Sequence, residues 1–223
     1  MELSYKGLQD RTVWEAAGVR LPAYPVEKMA QATRQAPIWV HFGSGNIFRG
    51  FIAQLQQRLL NMGAADKGII AVDTFDYDII DKIYTAFDNL TLNVTLNADA
   101  TVGCEVMAAV AEALKADARQ PEQMARLKAI FADPGLQMIS FTITEKGYAL
   151  HRPDGSLIPA AASDMEKGPD GCVHAMGIVA ALLYHRYKTC GAPLAVVSMD
   201  NCSQNGARLR QSVLTMAEEW KKL

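Results

Sequence analysis

The sequence predicts an α/β fold in which a doubly wound, mostly parallel sheet carries helices on both faces. Short apolar runs rich in β-branched residues alternate along the chain with longer segments of helical periodicity. This alternation is typical of a parallel sheet that is buried on both faces. A glycine-rich turn after one of the first apolar runs, and an aspartate at the end of the next, are typical of strand ends in this class.

Strands are predicted where short runs combine apolar residues with strand formers. They cover residues 38–42, 68–73, 90–96, 138–144 and 194–199. Helices are predicted where apolar residues recur with helical spacing, at residues 28–34, 77–87, 105–115, 122–132 and 172–187. One further helix, ending near Gly63, has an apolar face made of Phe48, Phe51, Ile52, Leu55 and Leu59. The last helix, with Ser203 as its cap, has an apolar face made of Leu209, Val213, Met216 and Trp220.

The chain is predicted to hold one α/β domain over residues 37–223, preceded by a lead-in segment over residues 1–36. The prolines of LPAYPV, residues 21–26, exclude regular helix or a central strand there. Pro153-Asp154-Gly155 is a turn signal, so residues 148–158 are predicted to form a hairpin. The last helix runs to the final residue without a glycine stop, and we therefore expect a longer natural chain.

Composition excludes several classes of function. The 223 residues include 22 basic and 24 acidic ones, and a net charge of −2 provides no overall field for binding nucleic acid or an anionic membrane. No apolar run approaches the roughly 20 residues of a membrane span, and the N-terminus lacks the basic start of a secretion signal. The four cysteines form no C-x-x-C pair and the histidines show no metal-ligand spacing. We therefore expect reduced thiols, a cytoplasmic location and no bound metal.

The segment HFGSGNIFRGF, residues 41–51, carries the strongest chemical signal because it follows a predicted strand and opens a predicted helix. Gly43 allows a tight turn, and Gly45 lets the backbone approach a pyrophosphate at the positive end of the helix. Phe48 replaces the third small residue of the usual G-x-G-x-x-G pattern, so the fingerprint is incomplete. The setting predicts a Rossmann-type nucleotide site whose loop residues are Gly43, Ser44, Gly45, Asn46, Ile47, Phe48 and Arg49.

Asp73 ends the apolar strand GIIAVD and is followed by Thr74. A carboxylate at this position accepts hydrogen bonds from the ribose hydroxyls of an adenosine and repels a 2′-phosphate. No Arg or Lys is adjacent, so the sequence predicts NAD rather than NADP, with Asp73 and Thr74 at the cofactor site. Two alternatives stay open: Asp73 caps the next helix, and Arg49 is solvated rather than paired with a phosphate.

Three segments together resemble one enzyme family. Residues 143–148, ITEKGY, are similar to the T-E-K-G-Y segment of the polyol-specific long-chain dehydrogenases, which include mannitol 2-dehydrogenase, fructuronate reductase and tagaturonate reductase. Residues 198–206, SMDNCSQNG, resemble the family's S-C-D-N-x-x-x-N-G segment, and residues 41–51 resemble its H-x-G-x-G-x-x-x-R loop. The glycine loop is closer to that of mannitol-1-phosphate 5-dehydrogenase, a member of the same superfamily, which leaves the substrate open.

The resemblance implies the cofactor-binding part of an oxidoreductase that transfers a hydride between NAD(H) and a sugar alcohol or a hexuronate. It also implies that Asn201 helps to hold the substrate oxygen, that Asn205 is a second catalytic candidate, and that Glu145 and Lys146 lie at the cofactor site. The family's general base is a lysine in a helical C-terminal domain. No matching cluster of Lys, Asn and His is found in these 223 residues, so we expect that domain to be missing.

Other interpretations of the same residues remain. Asp200 and Asn201 would form only a turn before the last helix, Lys146 would form only a surface ion pair with Glu145, and His41 is expected to be a core histidine. A non-catalytic nucleotide-binding module is the main alternative function. A methyltransferase, whose glycine loop and acidic strand end look similar, is a weaker one.

Overall fold

Eight strands form two sheets in the computed structural model, which describes residues 1–223. The strands are β1 (Val19–Arg20), β2 (Trp39–Phe42), β3 (Ile69–Asp73), β4 (Thr91–Leu96), β5 (Val102–Met107), β6 (Val110–Lys115), β7 (Met138–Phe141) and β8 (Ala195–Ser198). Five of them form the main sheet in the order β6-β3-β2-β7-β8, and every neighbouring pair is parallel. The chain builds from β2 to one edge and then crosses to the other side of β2, as in a doubly wound Rossmann-type fold. The predicted fold class is confirmed.

Nine α-helices accompany the two sheets. They are α1 (Arg11–Ala16), α2 (Val26–Gln35), α3 (Ala53–Asn61), α4 (Tyr77–Ile79), α5 (Pro121–Ala132), α6 (Thr144–Tyr148), α7 (Pro159–Lys167), α8 (Ala175–Thr189) and α9 (Asn205–Trp220). A π-helical segment, Phe48–Ile52, runs directly into α3, and another, Ile80–Tyr84, follows α4. None of the helices combines the length and the apolar character that crossing a bilayer requires.

The main sheet separates two layers of apolar packing, because alternate residues of a strand point to opposite faces. Ile70 and Val72 of β3 belong to a large cluster that includes residues of α5, α8 and α9. Ile69 and Ala71 of the same strand belong to a smaller cluster that includes Phe48. Both faces of the sheet are therefore covered, which explains why its strands are continuous apolar runs in the sequence.

The predicted helix at residues 105–115 is wrong, because the second half of β5 and all of β6 occupy this part of the chain. The segment EVMAAVAEALK is rich in good helix formers. However, every residue from Val106 to Ala111 is buried, and β6 extends the main sheet by pairing with β3. A continuous buried run suits a strand enclosed on both faces, so tertiary packing overrides local propensity here.

The helix after the glycine loop forms where it is predicted, but its predicted buried face is partly wrong. Phe51, Leu55 and Leu59 are 59%, 43% and 44% exposed, whereas Phe48 and Ile52 are buried. The π-helical segment widens the first turns, which shifts the later positions relative to a regular helical repeat. Phe51, Leu55 and Leu59 therefore form an exposed apolar stripe, called the α3 stripe below.

The predicted cap of the last helix is also wrong. Helix α9 begins at Asn205, after Gln204 in the left-handed region, and the Ser203 side chain makes no capping hydrogen bond. The apolar face of α9 is confirmed, since Leu209 and Met216 are buried and the other two residues pack against the same cluster. Helix α7, which begins at Pro159, was not predicted.

The segment before the main sheet packs on the second sheet, whose order is β1-β5-β4, with β1 parallel and β4 antiparallel to β5. Residues 21–25 contain neither helix nor strand, as the prolines of residues 21–26 predict, whereas Val26 already begins α2. The predicted hairpin is present as a bridge between His151 and Leu157, with Gly155 at a φ of 85° in its turn. The domain boundary at residue 37 stays a prediction.

His41, on β2, is a core histidine as predicted and is fully buried. Its ring nitrogens lie 2.7 Å from the Ser140 hydroxyl and 2.8 Å from the Thr142 hydroxyl. Burial lowers the pKa of His41 to about 3, because an imidazolium loses its hydration in the core. His41 is therefore neutral at physiological pH.

We expect His41 to make the protein sensitive to acid. Its folded-state pKa of about 3 lies below the ordinary value of 6.5, so the unfolded chain binds more protons between these two pH values. The free energy of unfolding, measured by urea titration, should keep its maximal value above pH 6.5 and should decrease as the pH falls towards 3. His41→Gln should remove part of this slope, whereas His151→Gln, at an exposed position, should leave it unchanged. Equal slopes for wild type and His41→Gln would contradict the prediction.

Candidate functional site

A cleft of about 630 Å³ lies at the carboxyl ends of β2, β3 and β7. Its walls come from the loops that follow these strands and from the start of α8. The strands β3 and β6 lie on one side of β2 and the strands β7 and β8 on the other, so the strand order reverses between β2 and β7. Open α/β sheets bind their ligands at such a switch point. The predicted cofactor residues that line this cleft are Gly43, Gly45, Asp73, Thr74 and Lys146.

The two glycines of the loop lack a side chain for different reasons. Gly43 has a φ of 99°, and a Cβ atom on it would overlap the carbonyl oxygen of Thr142 at the end of β7. Gly45 lies outside the left-handed region, and a Cβ atom on it would meet no atom within 4 Å. Packing therefore requires a glycine at position 43, whereas Gly45 leaves open space beside the cleft.

The backbone amides of Gly45, Asn46 and Ile47 have no acceptor in the protein. They precede the π-helical segment and α3, which together continue as one helical segment to Asn61. The first amides of a helix are unpaired and its N-terminal end carries a partial positive charge. This end of the helix therefore has the geometry that suits an anion such as a phosphate.

Asp73 holds the glycine loop from behind. Its side chain is nearly buried, and Oδ2 accepts hydrogen bonds from the Ser44 amide at 3.2 Å and the Ser44 hydroxyl at 2.8 Å. Oδ1 accepts from the amides of Phe75 and Asp76, both at 2.9 Å. A carboxylate has about four acceptor positions, so all are occupied. Asp73 thus joins the glycine loop to β3. It also holds the turn that leads into α4, a role similar to the helix cap that the sequence left open.

Arg49 supports the same loop and is not simply solvated. Its Nη1 donates to the carbonyl of Ser44 at 2.8 Å, and its Nη2 donates to the side chain of Asn46. The guanidinium lies 6.0 Å from the ring centroid of Tyr84, whose hydroxyl donates to the Ser44 carbonyl at 2.9 Å. A contact between Arg49 and a phosphate stays a prediction.

Two neighbouring loop residues differ in exposure. The side chain of Ile47 is 64% exposed, whereas Phe48 is fully buried. The Phe48 ring stacks on His41 with the centroids 4.3 Å apart and the planes 9° from parallel. Phe48 therefore belongs to the core by its side chain, and only its backbone lies at the cofactor loop.

Asp200 joins two of the sequence motifs. Its carboxylate accepts hydrogen bonds from the amides of Ile143 at 2.9 Å and Thr144 at 3.1 Å, and from the hydroxyl of Tyr148 at 2.6 Å. Tyr148 also contacts the Ser198 hydroxyl at 2.8 Å, and burial raises the pKa of Tyr148, so the phenol is a neutral donor. Thr144 has a φ of 66°, unusual for a β-branched residue, and Asp200 holds that conformation. Sequence analysis missed this role because the partners lie more than fifty residues apart.

The two predicted catalytic asparagines differ in their contacts. Asn201 is exposed, and its side chain makes no hydrogen bond within the protein. The Asn205 amide group donates to the carbonyls of Asp200 at 2.7 Å and Ser198 at 3.4 Å, and its oxygen accepts from the amide of Gly206. Asn205 thus holds the loop between β8 and α9, the Asn201 amide is unengaged, and neither residue is among those that line the cleft.

The alternative in which Lys146 forms only an ion pair with Glu145 is not what the structure shows. Glu145 pairs instead with Arg208 of α9 at 2.6 Å. Lys146 forms no salt bridge, is exposed and lines the cleft. His174 lines the same cleft, but its Nδ1 accepts from the amide of Met176 and caps α8.

The cleft combines an anion-binding helix end with exposed polar side chains. No group of three or more His, Cys, Asp or Glu side chains is arranged to hold a metal ion, and the four cysteines are unpaired. The carboxylates of Asp73 and Asp200 are both engaged by backbone donors. The arrangement suits binding of a phosphorylated ligand, and Lys146, which lines the cleft, has no side-chain partner in the protein.

Comparison with known proteins identifies the family of the chain. The family model of the mannitol dehydrogenase Rossmann domain matches residues 37–222. A D-mannonate oxidoreductase of Thermotoga maritima is 45% identical over 222 residues, which are 100% of this chain and 41% of the relative. A polyol:NADP oxidoreductase of Gluconobacter oxydans is 31% identical over 91% of this chain and 40% of its own length. The chain thus spans about two fifths of these relatives.

Solved structures agree with this assignment. D-sorbitol dehydrogenase in its substrate-free form matches with a TM-score of 0.76 and 28% identity, over 92% of this chain and 41% of that one. The Pseudomonas fluorescens mannitol 2-dehydrogenase, in a ternary complex with NAD and D-mannitol, matches with a TM-score of 0.76 and 25% identity, over 92% and 40%. The chain therefore belongs to the mannitol dehydrogenase family and carries the Rossmann domain of that family.

Proposed function

We propose that the chain binds NAD(H) as the cofactor domain of a dehydrogenase that acts on a sugar alcohol or a hexuronate. The observation that carries the proposal is the row of unpaired amides at Gly45, Asn46 and Ile47, which lies beside Asp73 at the switch point of the sheet. The named relatives support it, since one is a D-mannonate oxidoreductase and one solved neighbour holds NAD and D-mannitol.

The residues present fit a dinucleotide. The unpaired amides would bind the pyrophosphate, and the open space at Gly45 allows the phosphate oxygens to approach the backbone. Arg49 donates hydrogen bonds to the Ser44 carbonyl and to the Asn46 side chain, and these bonds hold the loop in its conformation. The loop is thus held in position before a ligand arrives, which lowers the cost of binding.

Asp73 and Thr74 would face the adenosine ribose. Of the four donors to Asp73, only the Ser44 hydroxyl can rotate away, and a ribose hydroxyl would take its place. The buried negative charge disfavours a 2′-phosphate, so we infer a preference for NAD over NADP. The family is not uniform in this respect, because the relative from Gluconobacter oxydans is named for NADP.

The opposite end of the cleft would receive the nicotinamide and the substrate. When bound, NAD supplies the carbon that accepts the hydride. Lys146, which has no carboxylate partner, would contact the nicotinamide ribose or the substrate, and Glu145 lies beside it, held by Arg208. Asn201 would donate a hydrogen bond to the substrate oxygen as negative charge develops on it. Asp200 holds the loop that carries Asn201 against the ITEKGY segment.

The remaining catalytic groups would come from a C-terminal helical domain, as the family resemblance implies. The relatives extend well beyond the matched part, which covers 41% of the first of them. The α3 stripe adds support, because three large apolar side chains on one exposed helix face favour burial against another surface. We place the protein in the cytoplasm, where four unpaired thiols stay reduced.

A nucleotide-binding module without catalysis is the alternative function. The amides and Asp73 suit it equally well, but it leaves the second part of the site unexplained. Asp200 joins the loop that carries Asn201 to the loop after β7 that lines the cleft, and the side chains of Asn201 and Lys146 have no hydrogen-bond partner in the protein. These features favour the enzyme.

We expect Gly45→Val to abolish NADH binding and to leave the fold intact. The valine side chain would fill the space through which the phosphate oxygens approach the backbone of the loop. Its Cβ atom nevertheless meets no protein atom within 4 Å. NADH fluorescence titration measures binding, and thermal unfolding measures the fold. Gly103→Val, in β5 and away from the cleft, is the matched control and should bind NADH normally. Normal NADH binding by Gly45→Val would show that the phosphate site is elsewhere.

Wild-type protein should bind NADH more tightly than NADPH, and Asp73→Asn should reduce this preference by about 1–3 kcal/mol, the cost of a buried hydrogen bond left unmade. The substitution removes the charge that disfavours a 2′-phosphate. Competitive titration with both cofactors gives the ratio of dissociation constants. Asp117→Asn, at another nearly buried carboxylate just after β6, is the control and should keep the wild-type ratio. Equal affinities for the two cofactors in the wild type would remove the role given to Asp73.

The 223-residue chain alone should show no appreciable oxidation of mannitol, mannonate or altronate, although it binds NADH. General base catalysis typically contributes about 10²–10⁴-fold, and the second domain would also orient the substrate. Formation of NADH from NAD, followed by absorbance, is the measurement. Fusion to the C-terminal part of a relative should restore turnover. Robust oxidation by the chain alone would mean that a residue such as Lys146 is the base.

In an enzyme restored by such a fusion, Asn201→Ala should lower kcat by about 10²–10³-fold, the usual effect of losing one donor to a developing oxyanion. NADH affinity should stay at the wild-type value, because Asn201 is assigned to the substrate. Asn97→Ala, at an exposed position in the hairpin between β4 and β5, is the control. Unchanged kcat for Asn201→Ala would assign the oxyanion contact to another residue.

A further inference from the structure

Four side chains form a hydrogen-bonded row behind the glycine loop. The Trp39 indole nitrogen lies 2.7 Å from the Ser140 hydroxyl, which lies 2.7 Å from Nδ1 of His41. Nε2 of His41 lies 2.8 Å from the Thr142 hydroxyl, which lies 3.1 Å from the carbonyl oxygen of Gly43. The row therefore runs across β2 and β7 and ends on the first residue of the loop.

The chemistry of these groups fixes the direction of every bond in the row. The indole of Trp39 can only donate, so the Ser140 oxygen accepts from it. The Ser140 hydroxyl then donates its proton to the acceptor within reach, Nδ1 of His41. Because Nδ1 accepts, the proton of the neutral imidazole is on Nε2. That proton goes to Thr142, which leaves the Thr142 proton for the carbonyl of Gly43. The other tautomer would leave both the Ser140 proton and the Gly43 carbonyl without these partners.

The peptide that links Gly43 to Ser44 is held at both ends. Its carbonyl accepts from Thr142, and its amide donates to Asp73 at 3.2 Å. These two groups belong to one planar unit, so fixing both sets the orientation of the plane. Gly43, at a φ of 99°, lacks the side chain that would otherwise restrict this plane. The orientation matters because the next amides along the chain are the unpaired ones.

His41 also contacts the other end of the loop, because its ring stacks on Phe48 at 4.3 Å between centroids. His41 and Ser140 are both fully buried, so neither can touch a ligand in the cleft. Any effect of these two residues on cofactor binding must therefore pass through the loop.

We propose that His41, as the neutral tautomer with its proton on Nε2, is a positioning residue for the cofactor loop, acting through Thr142 on Gly43 and through its stacking on Phe48. The proposal rests on the proposed function, since the cofactor is the ligand that this loop would bind. It adds a role to a residue that contacts no ligand.

The proposal is tested with His41→Phe, which keeps a ring but removes both hydrogen bonds, and with Thr142→Val, which is nearly isosteric. Each should weaken NADH binding by about three- to tenfold, the effect of one net hydrogen bond. Thr142→Ser keeps the hydroxyl and should restore wild-type affinity. Thr33→Val is the control, because Thr33 is a buried threonine away from the cleft whose hydroxyl also has two partners, Met29 and Gly68. It should lower the melting temperature and leave NADH affinity unchanged.

Nitrogen-15 NMR of the protein without ligand gives a second readout that does not depend on NADH. It should show His41 protonated on Nε2 only, and the amide resonances of Ser44 and Gly45 should shift in Thr142→Val and return in Thr142→Ser. Protonation on Nδ1 would overturn the proposal, as would wild-type affinity and unshifted amide resonances in both His41→Phe and Thr142→Val. If wild-type protein fails to bind NADH, the proposed function fails, and the NMR readouts still decide the role of His41.

Discussion

The hydrogen bonds of the Asp73 carboxylate are the interaction on which the cofactor side of the molecule depends. A charged group this deeply buried must have its acceptor positions filled, and Asp73 fills them with donors from two separate loops. The loop after β2 is thereby tied to the end of β3. Once Ser44 is held, the amides that follow it are left without acceptors at the edge of the cleft. The unpaired amides thus follow from the way in which Ser44 donates hydrogen bonds to the buried Asp73 carboxylate.

The Asp200 carboxylate holds backbone amides in a similar way on the other side of the switch point. Asp200 accepts from two amides after β7 and from the phenol of Tyr148. The left-handed conformation of Thr144 would be costly without such a bond. The carboxylates of Asp73 and Asp200 are therefore both occupied in holding backbone, and neither of these two is free to act as a general base.

Much of this arrangement could be predicted from the sequence, because strand ends and glycine turns leave local patterns. The strands on both sides of the switch point and the loop at Gly43 and Gly45 were predicted from apolar runs and spacing alone. Residues 105–115 were mispredicted because alanine-rich runs favour helix locally while burial favours a strand. The α3 stripe was mispredicted because a π-helical turn has no clear sequence signal. The contacts of Asp200 could not be predicted, since they join residues 52 to 57 positions apart.

The site separates groups that hold geometry from groups that remain free for chemistry. Ser44, Asp73 and Asn205 direct their polar atoms to the backbone or to each other. Lys146 and Asn201 are exposed and have no polar partner in the protein. Held groups can position a cofactor without rearranging, which limits the cost of binding. An isolated amide or ammonium in water stabilises little. In the proposed enzyme, the held groups would therefore position the cofactor, and the free groups would act only once a substrate and the other catalytic groups are in place.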